Sequence, residues 1–319
     1  RDFCLSRGLG DVYKRQALRL RHLFLGMNFH YLYISRKAVF VSCLYDLSDY
    51  ELELVFSDTI GYTPRQLLSS LALEEDEMLQ AFCADELDEP LDSGKRVRFY
   101  DRIRSSSLAK ILLEKSGEAR RLLLSYLRQE GFLGSEKPGI VDIGWKGNTN
   151  RVLNYILRRE EDTNAYLSFF LGVKETRHPI ASIGDYEAGY YFEDYLDEPE
   201  YAYNLFALVY VLENYFSASD DTTLSRYREE DGTIYPEFSP GIISDASKEK
   251  NQYILRLTEG FLDLIMESGL LRYDPSSLFG DVGVPTLLRL ASRPSMAELR
   301  VLRELTFNDT VSYTHLTLP

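Results

Sequence analysis

Between Gly139 and Asn150 the chain reads Gly-Ile-Val-Asp-Ile-Gly-Trp-Lys-Gly-Asn-Thr-Asn, an apolar run that reaches an acid, passes two glycines and enters a helical pattern. A strand, a tight loop and a helix start follow from that order. Gly144 and Gly147 are free to take positive φ and let the backbone approach a ligand, and Asn148, Thr149 or Asn150 can cap a helix beginning near Arg151. A helix N-terminus attracts anions, Lys146 adds a point charge beside it, and Asp142 stands at the carboxyl end of the strand, where open α/β sheets hold their ligands. Trp145 is the single Trp of the chain. Its ring suits stacking on a sugar or base, and equally suits a plug between loop and helix. An ordinary β-α turn with Asp142 as a local cap also accounts for the stretch, because its match to GxGxxG or GxxxxGK[ST] is incomplete.

The rest of the chain alternates around this stretch. Phe29 to Ile34 reads as a buried strand, Ala165 to Val173 as a third, and Glu187 to Phe192 as an edge strand, with helical patterns between them. This predicts an α/β fold with a Rossmann-like open, mainly parallel sheet, a long helical insertion between the first two strands, and a helical C-terminal subdomain. The α/β domain spans 17–195, and the helical subdomain, 196–310, packs on it. In the insertion, Ser48 and Glu51 form a capping box, Thr63-Pro64 opens another helix, Glu74 to Leu87 is an acidic helical stretch, and Ser106 to Glu130 reads as a helix pair closed by Gly131. In the subdomain, Tyr201 to Ser217 is an aromatic helix holding Glu213, and Asp231-Gly232 marks a turn. Asn251 to Ser268 is amphipathic through Leu257, Phe261, Leu264 and Ile265, and Ser295 with Glu298 makes a second capping box.

Both ends are set aside. Residues 1–16 and 311–319 resemble adapter-derived read-through at the edges of metagenomic reading frames, so they are excluded from the fold reasoning. The first end carries four basic and two acidic residues, and removing it leaves 32 basic and 48 acidic, a net charge of −16. Such a field disfavours nucleic acid and anionic lipid as partners. No apolar run reaches the roughly 18 residues of a membrane span, and no signal sequence opens the chain, so a cytoplasmic setting is expected. Cys43 and Cys83 are too few for a disulfide framework or a zinc cluster, and His22, His30 and His178 lie far apart, so no metal site is expected. The sequence names no cofactor.

A second basic feature follows the first strand. Ser35, Arg36 and Lys37 offer a hydroxyl, a planar fork and a point charge to a phosphate or carboxylate, or form a basic turn paired with the many acids. Absent motifs narrow the chemistry further. There is no Asp-x-Asp, which a haloacid dehalogenase-like phosphatase and many glycosyltransferases need, and no GxSxG nucleophile elbow.

Five pieces in order, YLYISRKAVF (31–40), VDIGWKGNTN (141–150), AYLSFFLGV (165–173), VLENYFSA (211–218) and DGTIYPEF (231–238), resemble the downstream region of predicted haloacid dehalogenase-like hydrolases. These proteins accompany glycosyltransferases in bacterial surface-polysaccharide clusters. The likeness runs from Tyr31 to Asp309, and its most specific parts are the Ser-Arg turn and the Asp-Ile-Gly-Trp loop. Where the family tends to read SRRAL and DIGWxGTxQ, this chain has Lys37 and Val39 in the first motif and Asn148 and Asn150 in the second. The resemblance implies an upstream hydrolase domain and a glycosyltransferase as partners, and a sugar phosphate or nucleotide sugar as ligand. Phosphatase activity is not carried over, since the nucleophile motif belongs to that upstream domain.

On this reading Arg36 and Lys37 hold phosphate, the loop of Gly144, Trp145, Lys146, Gly147 and Asn148 supplies amides and a ring, and Asp142 takes a sugar hydroxyl or a metal-bound water. Two other readings stay open: an enzyme resembling phosphoribosyltransferases, and a non-catalytic scaffold for the hydrolase or glycosyltransferase. The geometry expected is specific. Ser35-Arg36 and Gly144-Lys146 should follow adjacent parallel strands, bringing the Arg36 guanidinium near Asp142.

Overall fold

The structure is a computed structural model. It describes residues 2–5, 28–56, 61–134, 138–145, 147–160, 166–173, 188–193, 222, 224–241, 245–269, 286, 289–290 and 292–303. Five strands form one sheet: β1 (Asp2–Leu5), β2 (Asn28–Tyr31), β3 (Gly139–Trp145), β4 (Leu167–Val173) and β5 (Ala188–Glu193). Their lateral order is β2-β1-β3-β4-β5, and every neighbouring pair is parallel. The fold is mixed α/β and largely helical, with this small parallel sheet and a separate antiparallel pair.

The order corrects one expectation. β2 and β3 are not adjacent, because Asp2–Leu5 lies between them, within residues 1–16, which the expected fold leaves out. Two strand spacings, roughly 10 Å, therefore separate the chains that lead to Arg36 and to Asp142. Both still emerge at the same carboxyl end. Leu5 is level with Tyr31 on one side and Val141 on the other, so pairing with β1 stops one residue before Asp142, while β3 continues against β4 as far as Trp145.

The insertion between β2 and β3 builds most of the core. It holds α1 (Arg36–Val41), α2 (Asp49–Phe56), α3 (Pro64–Ser70), α4 (Glu75–Met78), α5 (Ala84–Leu87), α6 (Ser93–Ser105) and α7 (Leu108–Gln129). Thr63 and Gln66 close a capping box on α3, and Pro64 takes the first helical position. Asp92 caps α6 by accepting from the Lys95 amide at 2.8 Å, so this helix starts where Pro90, Ser93 and Gly94 suggest a break. The span read as a helix pair is one rod, α7, of 22 residues. Gly117 costs it about 1 kcal/mol in propensity. The buried row of Leu108, Leu112, Ser116, Leu123, Leu124 and Leu127 runs through that position and outweighs the cost.

After β3 comes α8 (Asn148–Glu160), with Val152, Leu153, Ile156 and Leu157 buried. It packs on α1, which in turn packs on α7. Leu32, Val39, Leu44, Leu123, Ile140, Val152 and Tyr166 belong to one continuous core.

Part of the expected helical subdomain is strand. β6 (Leu224–Glu230) and β7 (Thr233–Phe238) form an antiparallel hairpin joined by Asp231-Gly232, both at positive φ (50° and 76°). Two left-handed residues are what a two-residue hairpin loop with the right twist requires, and Asp-Gly supplies them at low steric cost. The hairpin lies against α1 and α7. The Tyr227 hydroxyl donates to the Tyr33 carbonyl at 2.6 Å, the Gln129 side chain bridges to both backbone groups of Ile234, and the Tyr126 and Tyr227 rings stack 4.7 Å apart.

Further on are α9 (Asp245–Ser268) and α10 (Met296–Arg303). The apolar face expected on α9 is only partly inward. Ile265 is buried with Leu255 and Leu262, whereas Leu257, Phe261 and Leu264 are more than half exposed. Apolar residues occupy two sides of this helix, and periodicity does not say which side is covered. Tyr201 to Ser217, with Glu213, lies outside the described residues. Among the described residues no helix is long and apolar enough to cross a membrane.

Candidate functional site

The stretch from Gly139 to Asn150 folds as strand, loop and helix, with shifted boundaries. Gly144 belongs to the strand, paired with Gly172, so the flexibility assigned to it is not used. Gly147 has φ +62° and turns the chain into α8, which begins at Asn148, three residues before Arg151. The Gly147 carbonyl accepts from the Arg151 amide at 2.9 Å in the first turn. Trp145 ends β3 opposite Val173. Its ring and the whole of Lys146 lie outside the described residues.

Asp142 is half-buried in β3, and Asn150 faces it from α8. The Asn150 side-chain amide donates to Asp142 Oδ2 at 3.1 Å. Asn150 is 2% exposed and held from its other side by β4 and the residue before it: the Tyr166 hydroxyl donates to the Asn150 carbonyl at 2.8 Å, and the Ser168 hydroxyl lies 3.4 Å from Oδ1. In the sequence Asn150 reads as a cap, and neither Tyr166 nor Ser168 belongs to the expected site. A signal was present, since Ser168 and Phe170 share the inward alternation of an otherwise apolar strand, where a lone hydroxyl needs a buried partner.

The second basic motif is built differently from the turn expected. Ser35 is the N-cap of α1, and its hydroxyl accepts from the Ala38 amide at 3.1 Å while donating to the Leu224 carbonyl of β6 at 2.8 Å. The hydroxyl offered to an anion is thus engaged inside the fold. Arg36 is exposed, with its guanidinium carbon 5.8 Å from the Phe40 ring centre, and Lys37 is half-buried in the first turn of α1.

A second polar cluster lies on the insertion side of α8. Glu51 is fully buried, and its Oε2 accepts from the backbone amides of Tyr45, Asp46 and Leu47 at 2.9, 3.1 and 2.9 Å. Leu47 sits at φ +56°, which folds the three amides into a nest. The carboxylate thereby abandons the capping box expected with Ser48. Its Oε1 accepts from the Tyr155 hydroxyl at 2.8 Å and from Arg159 at 3.1 Å. Five donors saturate a carboxylate that offers about four lone-pair sites, leaving no acceptor for a ligand. Tyr155 stays a neutral donor, since burial and then its hydrogen bond to Glu51 push its phenol above the usual range. Arg120 and Arg159 stack on the Tyr45 ring, 3.6 and 4.4 Å from its centre. This cluster clamps α8 to the insertion.

Comparison with protein-family models and with curated proteins gives no match. The class established is a mixed α/β chain with a parallel sheet and a polar pair, Asp142 and Asn150; Asp142 is not at the carboxyl end of its strand as expected but in the middle of β3, just past the point where pairing with β1 stops.

Proposed function

We propose that this chain is the ligand-binding α/β module of a polysaccharide-biosynthesis protein linked to haloacid dehalogenase-like hydrolases, taking a phosphorylated sugar or nucleotide sugar at the carboxyl end of its sheet. The observation that carries the reading is the Asp142-Asn150 pair next to the β1-β3 junction. There the order β2-β1-β3-β4-β5 reverses direction, and in a doubly wound, Rossmann-like sheet that point opens the ligand crevice. Asp142 accepts a sugar hydroxyl, the amides at the start of α8 after Gly147 face the phosphate, and Arg36 and Lys37 supply positive charge from the same end of the sheet.

Isothermal calorimetry and thermal shift on the full chain, with glucose 1-phosphate and with UDP-glucose, test the reading. Binding of either, weakened at least tenfold by Asp142→Asn and by Arg36→Ala, is expected. No heat and no shift with both ligands, or affinity untouched by both substitutions, would count decisively against it.

A further inference from the structure

Asn150 ties three parts of the site together. Its Nδ2 reaches Asp142 on β3, and its Oδ1 faces the hydroxyls of Tyr166 and Ser168, each at 3.4 Å. An amide can be placed either way round, and the surroundings decide which is lower in energy. Reversed, Oδ1 would meet the Asp142 carboxylate oxygen at the present 3.1 Å, bringing lone pairs against lone pairs. Tyr166 could not relieve this, because its proton is directed to the Asn150 carbonyl at 2.8 Å. As it stands, an N–H points at the carboxylate, and such a donor favours the ionised form.

We infer that Asn150 is the positioning residue of this site: it holds Asp142 ionised and in one orientation, so that the ligand group beside Asp142 is a hydrogen-bond donor, a sugar hydroxyl, and not a phosphoryl oxygen. The inference rests on the strand-end binding reading for its ligand class. Two anionic oxygens repel at contact distance, whereas a hydroxyl donates to a carboxylate oxygen. Among the described side chains, Arg151 follows Asn150 on α8 and α1 carries Arg36 and Lys37, while β4 carries no ionisable residue.

The test follows the Asp142 carboxyl carbon and the Asn150 side-chain amide protons by NMR through an acid titration of the full chain, as wild type, Asn150→Leu and Ser168→Ala. In the wild type the Asn150 protons should move with the Asp142 midpoint. Asn150→Leu should raise that midpoint by about one pH unit, the effect of losing one donor to the charged form. Ser168→Ala should raise it less, since the donor remains and only its support is loosened. An Asn150 amide that ignores the Asp142 titration overturns the assignment without needing any variant to fold, and so does a midpoint unmoved by Asn150→Leu.

Glucose 1-phosphate and inorganic phosphate are then added to the wild type. The sugar phosphate should shift the Asp142 and Asn150 resonances, and inorganic phosphate should leave them in place. Inorganic phosphate shifting the pair overturns the hydroxyl assignment. Silence from both ligands, with the titration coupling intact, rejects the strand-end reading and its ligand class while leaving the hold of Asn150 on Asp142 established.

Discussion

Arg159 on α8 reaches the Glu51 carboxylate on α2 at 3.1 Å, joining two residues 108 positions apart. The pair is lopsided, with the Glu51 side chain at 0% exposure and that of Arg159 at 41%. A half-solvated guanidinium contributes little by itself, so the buried charge is supported chiefly by the amides of Tyr45, Asp46 and Leu47. The same helix carries Asn150 at its other end. Whatever loosens the Glu51 clamp therefore acts on the helix that orients the Asp142 site.

Glu51→Ala should lower stability by about 3–5 kcal/mol, because it leaves three amides and a tyrosine hydroxyl without their acceptor. Arg159→Met should cost about 1 kcal/mol or less. Urea denaturation of both variants checks the ratio. Equal losses would place the support in the ion pair and not in the amide nest.

Tyr227→Phe removes the hydroxyl that holds the hairpin to the Tyr33 carbonyl, at the place where the Tyr227 ring stacks on Tyr126. A loss of about 1–2 kcal/mol is expected. Faster amide exchange should appear at the Ser35-Arg36 end of the segment, where Ser35 also leans on Leu224. Exchange confined to β7, with residues 33–36 unchanged, would show that the hairpin does not brace the start of α1.

Cys43 and Cys83 should differ in reactivity. Cys43 is buried, and burial pushes its thiol far above the ordinary range, with Glu51 adding in the same direction, whereas Cys83 is exposed. Brief iodoacetamide treatment at pH 8, followed by peptide mapping, should label Cys83 and spare Cys43 until the chain is unfolded. Equal labelling of both in the native chain would mean that the core around Cys43 opens readily.

The cap of α10 should titrate in acid. Arg289 and the amide and hydroxyl of Ser295 hold the Glu298 carboxyl down to about 2, from an ordinary 4.5. A depressed acid contributes stability that is complete above its unfolded value and is lost as pH falls through its folded value, so the contribution of this cap fades between about 4.5 and about 2. Carboxyl NMR should place the Glu298 midpoint near the bottom of that window. Arg289→Ala should move it upward, and a midpoint already near 4.5 in the wild type would contradict the capped geometry.

Local chemistry was legible. The strand, loop and helix from Gly139 to Asn150, the helix start at Thr63-Pro64, the capping box at Ser295 and the turn at Asp231-Gly232 all follow from side-chain period, cap preference and the conformational freedom of glycine. These signals are carried by residues within a few positions of one another. They also indicated a parallel sheet, since strands separated by helical stretches have few other ways to pair.

Lateral order and polar partnership were not legible, because both depend on contacts between residues remote in sequence. Asp2–Leu5 separates β2 from β3, and no periodicity near Tyr31 or Gly139 announces an intervening strand. Glu51 has the spacing of a capping residue from Ser48, yet the fold buries it and offers three nearer amides that satisfy a desolvated charge better than one exposed cap does. Asn150 likewise has the composition of a cap. Only the arrival of β4, with Tyr166 and Ser168 on its inner side, turns that amide inward toward Asp142. The sequence by itself determined which segments become strands, helices and turns; the tertiary structure decided which polar groups meet, since a buried hydrogen bond is selected by what remains unpaired once the chain has closed around it.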